Sequence, residues 1–567
     1  MQSTAAAALR LSEADAAIAD AQEEVRRAQE RLRSLASYRN TLLPIEALPE
    51  EIILDIFNIL VHSTFGPSYG WLAVTHVCRR WRTAALGCPV LWTRVHCAFP
   101  DSGQLDRLDA FIERSQSCPI DVDLPLNMSW CYNTSFKRLL EQRHRWRIVK
   151  AFEIGPGLLF EVPELRVSKL ALPLAIELDV HFGDFGVSRD LDEITNPSLP
   201  ALKRLTSNFV RWPVLKTWMV PTLVHLEISG YGHLHTTSLS DWIDALRPLS
   251  SLQTLSLRNT FDHLALDEDT ANAPPSPEPI HLPFLRTLRL VALPQTALSA
   301  CISLAEHIVS PWYTEVKIEA QRPLEVDAPG YEVPFATMAA RMGVSISSRP
   351  IGEDHSAVSL LFSWIDGAFH MKVLDTRSTP ERALLDMQLP VQRYDHHRAA
   401  VDGIVARVVQ AGPSLCSASR LLLANLGTGR RVWSALKTSS VPQLLIWRKA
   451  FPAFLDALED DPGAFMPELD FLSISSLPRR SRLPKPRPAR KAGQAQRQLL
   501  QRLADALAER RSLGLGPTSV NLGHGEIEIV AEQSDPSEAS DAVEAGITLR
   551  HEEDEDDLSL LAMFGSC

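Results

Sequence analysis

The sequence predicts a mainly α+β protein with four parts in order: a long N-terminal helix, a compact three-helix segment, an irregular α/β solenoid and a disordered acidic tail. Three observations support this prediction. A heptad pattern of apolar residues opens the chain, a short and very apolar helical segment follows, and a leucine pattern typical of short strands recurs through the remainder. The predicted boundaries are 1–43, 44–98, 99–531 and 532–567.

Length and composition indicate a folded chain with more than one domain. It has 567 residues, of which 45% are hydrophobic and 22% charged, as is normal for globular proteins. The formal net charge of −12 argues against attraction of the whole chain to nucleic acid or to an anionic membrane, since both require a net positive surface.

The cysteines and apolar runs indicate where the protein works. Eight scattered cysteines without a CxxC or Cys/His pair form neither a disulfide framework nor a zinc module, so we expect a reducing compartment. No signal-peptide pattern opens the chain, and no uncharged apolar run approaches the roughly 20 residues that span a bilayer. We therefore expect an intracellular protein, cytoplasmic, nuclear or both, without a membrane partner, metal or cofactor.

Residues 5 to about 40 contain no Pro or Gly and predict one long helix. Two apolar series recur every seven residues and predict an a/d stripe. The stripe has Leu11, Ile18, Val25 and Leu32 at a, and Ala14, Ala21, Ala28 and Leu35 at d. In a parallel pair only Arg10 and Asp15 would form a g-to-e′ ion pair, and three alanines at d give a thin seam. Two alternatives stay open: a helix partner bound along 5–40, or packing on the chain's own surface.

The segment 44–98 begins its first helix at "LPEEIILDIFNIL". Pro49 at the first helical position, with Glu50 and Glu51 in the first turn, is a good helix start. The helix that follows is apolar nearly all round, apart from Asp55 and Asn58, so it must be buried on more than one side. A segment of about 55 residues has too little interior for that, and a partner is implied.

A second helix is predicted over "SYGWLAVTHVCRRWRTAALGC", which Gly87 and Pro89 end. Its apolar stripe has helical spacing, and the arginines at 79, 80 and 82 lie outside that stripe. The members of the stripe are Val74, Val77, Cys78, Trp81 and Ala85. The stretch "VLWTRV" follows.

The pattern L-x-x-L-x-L recurs from about residue 200 onward. It occurs in "LVHLEIS", "LQTLSLR", "LRTLRLV" and "LDFLSIS", with a partial copy in "LKRL". Each copy predicts a short strand with alternate residues facing inward, followed by a helix, as in leucine-rich repeats. "LSDWIDALRPL" and "FPAFLDALED" are predicted helices, while "GAFHMKVLD", "SRLLLAN", "VPQLLIW" and "VNLGHGEIEIV" are predicted strands. A generic α/β layer would share these features, and the repeat register between about 310 and 465 cannot be followed.

Two charged segments lie near the C-terminus. A basic Pro-rich insert spans 478–496 and is predicted to be an exposed loop, with nuclear import as an alternative. A last helix is predicted at 497–514. The tail after 532 carries six consecutive acids from Glu552 to Asp557 and is predicted to be disordered.

Three linked pieces of the segment 44–95 resemble an F-box. They are "PIEALPEEIILDIFNIL", "WLAVTHVCRRWRTAAL" and "PVLWTRV", which contain Leu-Pro-x-Glu-Ile, Val-Cys-x-x-Trp-Arg and Pro-x-Leu-Trp in order and near the usual spacing. With the heptad helix before and the leucine pattern after, the chain looks like the large F-box families of mushroom-forming fungi. "LDAFIERSQSCPIDVDL" and "RHRWRIVKAFEIG" resemble the same group.

The resemblance implies a non-catalytic, substrate-recognition role in an SCF (Skp-cullin-F-box) ubiquitin ligase. The F-box would dock on a Skp-type adaptor, and through it on a cullin scaffold, while the repeat domain would recruit an unknown protein substrate. By this resemblance the residues in or beside the adaptor interface would be Leu48, Pro49, Ile52, Ile56, Leu60, Val77, Cys78, Trp81, Leu91 and Trp92. Core positions for Trp81 and Trp92 are the alternative. A leucine-rich interaction scaffold with a relic F-box is the rival function.

Other functions find little support in the sequence. "LGTGRR" (426–431) falls short of GxxxxGK[ST], and Asp395, His396 and His397 are adjacent on one segment, where residues seldom converge on a metal. We therefore expect no catalytic residues. No helix-turn-helix or aromatic basic groove accompanies the basic insert, so no nucleic-acid partner is expected.

Overall fold

The fold is described from a computed structural model, in which the chain divides into two compact units, Met1–Leu202 and Lys203–Cys567. Within the described ranges, no helix is long and apolar enough to cross a bilayer. The described residues are 2–63, 69–96, 102–125, 134–154, 172–182, 199–208, 212–230, 238–261, 278–293, 295–311, 313–321, 336, 338, 358–365, 368–375, 382–390, 394–411, 420–424, 426, 429–437, 439, 441–447, 450–475, 489–517, 519–521, 526–528 and 548–550.

The first unit opens with α1 (Gln2–Thr41), which confirms the predicted long helix. From Leu9 onward its side chains are exposed, with Glu23 and Asn40 half-buried. Among the described residues nothing covers the apolar a/d stripe: Leu11, Ile18, Val25 and Leu32 are each more than half exposed.

The segment that follows consists of short helices. A 3₁₀ turn (Pro44–Ala47) leads into α2 (Glu50–Ser63), and a second 3₁₀ stretch (Tyr69–His76) precedes α3 (Arg79–Gly87). A third 3₁₀ turn (Pro89–Trp92) leads into strand β1 (Arg94–His96).

The prediction of one continuous second helix is wrong at Cys78. That residue is extended (φ −152°, ψ 171°) and caps α3, its sulfur accepting the Trp81 amide hydrogen at 3.4 Å. The extended backbone separates the 3₁₀ stretch from α3, so the apolar stripe is split between two elements. Val74 and Ala85 are buried, whereas Val77, which lies between the two elements, is exposed.

A four-stranded parallel sheet completes the described part of the first unit. After β1 come α4 (Ser102–Arg114), β2 (Ile120–Pro125), α5 (Thr134–Glu141), β3 (Trp146–Ile154) and β4 (Glu177–Phe182). The strands pair in chain order. Val95, Val122, Val149 and Leu178 form one buried row across them.

The second unit alternates strands and helices. Its elements up to residue 390 are β5 (Arg204–Asn208), α6 (Trp212–Trp218), β6 (His225–Ser229), α7 (Leu239–Leu246), β7 (Thr254–Arg258), β8 (Ile280–His281), β9 (Thr287–Ala292), α8 (Gln295–His307), β10 (Ile308–Val309), β11 (Glu315–Ala320), β12 (Val358–Ile365), β13 (Ala368–Asp375) and β14 (Arg382–Pro390). They continue with α9 (Tyr394–Ala411), β15 (Arg420–Ala424), α10 (Arg430–Leu436), β16 (Gln443–Trp447), α11 (Phe451–Asp460), β17 (Phe471–Ser475), α12 (Ala489–Ser512), β18 (Ser519–Asn521), β19 (Glu526–Glu528) and β20 (Thr548–Arg550).

Each complete copy of the leucine pattern forms one strand, namely β6, β7, β9 and β17, and the partial copy leads into β5. The three apolar positions of the first copy, Leu223, Leu226 and Ile228, are buried. The predicted helices at α7 and α11 and the predicted strands at β13, β15, β16 and β18 are also confirmed. The structure is therefore a mixed helix-and-strand protein.

Twelve of the strands from β5 to β18 pair in one continuous ladder, while β8 and β10 pair only with each other among the described strands. All neighbours are parallel except around β13, which pairs antiparallel with both β12 and β14. A row of buried apolar side chains crosses the ladder in register: Leu205, Leu226, Leu255, Leu288, Val316, Leu385, Val373, Leu360, Leu421, Leu444, Leu472 and Val520. The hairpins at β12–β14 are where the repeat register could not be followed from sequence.

The C-terminal predictions are only partly within the described residues. Residues 478–488 of the basic insert lie outside them, while 489–496 belong to α12, which begins eight residues before the predicted last helix. In the predicted acidic tail, Thr548–Arg550 forms β20, which pairs antiparallel with β19. The rest of the tail lies outside the described residues.

Candidate functional site

The candidate site is the outward face of α2. Its inner face has Ile53, Phe57 and Val61, spaced four residues apart and each no more than 4% exposed. The outer face repeats the same spacing with side chains that remain in contact with solvent. Its members are Ile52 (45% exposed), Ile56 (37%), Ile59 (64%) and Leu60 (37%). Apolar side chains exposed along one helix face are typical of a protein-binding surface.

An aromatic cluster supports α2 from inside. Phe57 packs edge-to-face on Trp81, with ring centroids 5.2 Å apart. Trp92 packs edge-to-face on both Trp71 and Phe111 at 5.1 Å, and its Nε1 donates to the Ala85 carbonyl at 2.8 Å. Because Phe111 belongs to α4, residues beyond 98 complete this core.

Polar contacts fix the turn before α2. Arg80 donates from Nη2 to the Leu48 carbonyl at 2.6 Å and from Nη1 to both the carbonyl and the carboxylate of Glu46. The Cys78 thiol donates to the Glu46 carboxylate at 3.2 Å. Burial, together with that carboxylate, raises the pKa of the Cys78 thiol, so it is held in its neutral form. Cys78 therefore contributes to this turn as a helix cap and as a hydrogen-bond donor to Glu46.

The structure sorts the ten residues expected at the adaptor interface into three groups. Pro49, Ile52, Ile56, Leu60 and Val77 are exposed, and Leu48, Cys78 and Trp81 are half-buried. Leu91 and Trp92 are 1% exposed and lie in the core beside this surface. For Trp92 the reason is that its ring packs on Trp71 and Phe111 while its Nε1 donates to the Ala85 carbonyl.

Sequence reasoning missed four residues of this site. Ile59 lies three residues after Ile56 and seven after Ile52, so helical spacing could have found it. Val90, which is 53% exposed, carried no such signal. Glu46 and Arg80 are 34 residues apart in the chain, and no local pattern links them.

Two segments of the second unit contain the motifs that bear on an enzymatic function. Helix α10 begins within "LGTGRR", and a carboxylate already lies at its N-terminus, since the N–H of the N-cap residue Gly429 donates to the buried Asp402 at 2.9 Å. Asp395, His396 and His397 lie in α9, and their side chains are outside the described part of the chain. Among the described residues, no group of His, Cys, Asp or Glu could hold a metal ion.

Another cleft, of about 310 Å³, lies in the first unit between β1, β2 and β3. Two of its acidic residues have partners: Arg147 forms an ion pair with Asp121 at 2.6 Å, and the His96 ring nitrogen lies 3.0 Å from the Asp123 carboxylate. The Arg147–Asp121 hydrogen bonds raise the pKa of the arginine further. We assign no chemistry to these paired charges.

Comparison with known proteins bears on the same segment. Residues 45–98 match the family model described as F-box-like. The match begins one residue after the predicted start at 44 and includes α2, α3 and β1. No curated protein was found to match the chain.

Proposed function

Since residues 45–98 form an F-box-like domain, we propose that the chain is the substrate-recognition subunit of an SCF ubiquitin ligase. The outer face of α2 docks on a Skp-type adaptor, which connects the chain to a cullin. The second unit holds a protein substrate. The chain itself performs no chemistry in this role.

The exposed apolar face of α2 is the observation that carries the proposal. Ile52, Ile56 and Ile59 are rigidly presented, because Phe57 on the inner face is fully buried against Trp81. The hydrogen bond that Arg80 donates to the Leu48 carbonyl fixes the backbone just before the same helix. A preformed apolar surface loses little conformational entropy on binding, which favours a helix-mediated interface.

The second unit offers a surface on which a substrate protein would bind. Its parallel strands bury one row of apolar side chains, so alternate residues lie on the other face of the ladder. On that face Arg289 and Lys317 both pair with Glu319, at 2.9 and 2.7 Å. A polar, structured face of this kind suits a protein partner, as in leucine-rich solenoids.

The proposal is tested by coexpression with a Skp-type adaptor and pull-down of the complex. Ile56→Asp and Ile59→Asp each place a carboxylate on the outer face, and we expect both to abolish micromolar binding. Asn58→Asp is the matched control, because it adds the same charge to α2 at a half-buried position outside the apolar outer face. Wild-type protein that is folded but does not capture the adaptor would contradict the proposal.

The rival function, a scaffold with a relic F-box, is separated by a second step. The purified complex with the adaptor is mixed with a cullin. A ternary complex supports the ligase role, whereas a complex that excludes the cullin would favour the scaffold.

A further inference from the structure

The exposed stripe of α1 is an interaction surface that the proposed function does not use. Its a and d side chains are all exposed along more than three turns, although Leu11, Ile18, Val25 and Leu32 are large and apolar. An isolated helix with such a stripe is marginally stable in water, and burying the stripe against another helix stabilises it. We propose that α1 pairs with α1 of a second copy of this chain in an antiparallel coiled coil.

The ion-paired side chains of α1 lie away from the a and d positions that would form the dimer seam. Arg26 pairs with Glu23 at 2.6 Å and with Glu30 at 2.5 Å, and Arg27 pairs with Glu23 at 2.9 Å. These four residues occupy the b, c and f positions, away from a and d. Their charges are therefore engaged on the outer side of the helix.

Charge distribution along α1 favours the antiparallel direction. Residues 9–22 contain three acidic residues and one arginine, whereas 24–37 contain four arginines and two acidic residues. A parallel pair would set halves of like charge side by side. An antiparallel pair sets the acidic half of each copy against the basic half of the other, which is the attractive arrangement.

Side-chain size favours the same direction. In a parallel pair, layers of two alanines at d alternate with layers of two large residues at a, so the helices cannot approach evenly. In an antiparallel pair each a residue faces a d residue. With the two-fold axis at Glu23, the facing pairs are Leu11 with Leu35, Ile18 with Ala28, Val25 with Ala21, and Leu32 with Ala14. Three of these four layers combine one large and one small side chain, which lets the seam pack at an even spacing.

The central residue pair provides a test specific to direction. The antiparallel register brings Glu24 of both copies close to the two-fold axis, where their charges repel. We expect Glu24→Gln to strengthen the dimer by several-fold. In a parallel pair Glu24 would face Gln29, and the same substitution would not strengthen association.

The first experiment measures the molar mass of the full chain by sedimentation velocity at micromolar concentrations. The wild type is expected to dimerise, and Ile18→Asp with Val25→Asp to weaken dimerisation at least a hundredfold. The control, Ala16→Asp with Ala19→Asp, adds the same charge on the outer side of α1 and should stay dimeric. A monomeric wild type, or a seam variant that dimerises as well as the control, would overturn the proposal.

The second experiment measures orientation with a spin label attached through an unnatural amino acid at Ser12. In the antiparallel dimer the two labelled positions are 22 residues apart along the axis, about 33 Å. In a parallel dimer they lie within about 20 Å of each other. The shorter distance would overturn the antiparallel arrangement. The seam variant should still bind the Skp-type adaptor, because α2 is unchanged.

Discussion

Arg80 donates a hydrogen bond of 2.6 Å to the carbonyl oxygen of Leu48, and this contact connects the start of α3 to the residue two positions before α2. The same guanidinium contacts Glu46 in the preceding 3₁₀ turn. The direction in which α2 leaves that turn, and with it the position of Ile52 and Ile56, is therefore set by a side chain from another helix.

Removing this guanidinium should loosen the turn and the first part of α2. Charge-assisted hydrogen bonds of this kind stabilise by about 1–2 kcal/mol when partly exposed. For Arg80→Ala we expect amide hydrogen exchange over residues 44–56 to accelerate about tenfold. Arg79→Ala, at the neighbouring exposed position, is the control and should leave exchange there unchanged. Equal exchange in both variants would show that the Arg80 contacts do not hold the turn.

Core and surface substitutions in the F-box-like domain should differ in their effect on thermal stability. Trp92 is 1% exposed and makes two edge-to-face contacts, so Trp92→Ala should cost about 3–5 kcal/mol. In a thermal denaturation experiment we expect Trp92→Ala to lower the melting temperature of the F-box-like domain clearly. Ile56→Asp should leave that melting temperature unchanged. Adaptor binding should fall in both. A Trp92→Ala protein with wild-type thermal stability would contradict the assignment of Trp92 to the core.

Asp402 supports α10 in the second unit. Its carboxylate accepts the Gly429 N–H at 2.9 Å, at the N-terminal end of the helix, where negative charge is favoured. Asp402→Ala should therefore reduce the free energy of unfolding by about 1–2 kcal/mol, measured by urea denaturation. Asp402→Asn retains an acceptor and should recover part of the loss. Equal stability of the alanine variant and the wild type would be inconsistent with this cap.

Arg510 is fully buried, and within the described part of the chain its side-chain hydrogen bonds go to backbone carbonyls. Its guanidinium donates to the carbonyls of Gly516 at 2.6 Å, Pro462 at 2.9 Å and Met466 at 3.0 Å, and to that of Phe465. Burial lowers the pKa of this arginine.

Arg510→Met should cost about 3 kcal/mol or more, because it leaves buried carbonyl groups without donors. Arg511→Met, at the exposed neighbour, should cost far less. Tryptophan fluorescence during urea denaturation measures both, since Trp433 lies in the same aromatic cluster as Phe465.

Local patterns in the sequence predict many of the strands and helices. The spacing of Leu223, Leu226 and Ile228 predicts a strand because alternate strand residues share a face, and the structure buries all three. The structure also bears out the long N-terminal helix. At Cys78 the same kind of reasoning fails, since a helical stripe continues through a residue whose backbone is extended. Side-chain capping of α3 overrides the periodicity there.

In the candidate site, too, local patterns predict some features, and others depend on contacts between residues far apart in the chain. The apolar excess of α2 predicts that some of its apolar side chains are not covered by the domain itself, and Ile52 and Ile56 are exposed. The core around Trp92 includes Phe111, which lies outside the F-box-like match. The clamp between Arg80 and Leu48 joins residues 32 positions apart. Contacts of this length depend on tertiary packing, which a pattern read along one chain does not contain.

Hydrogen–deuterium exchange of the full chain, alone and with a purified Skp-type adaptor, tests most directly whether α2 is the adaptor contact. We expect slower exchange within Glu50–Ser63 when the adaptor binds, with no change in the strands of the second unit. Binding that protects the second unit and leaves Glu50–Ser63 unchanged would contradict the assignment of the outer face of α2 as the adaptor contact.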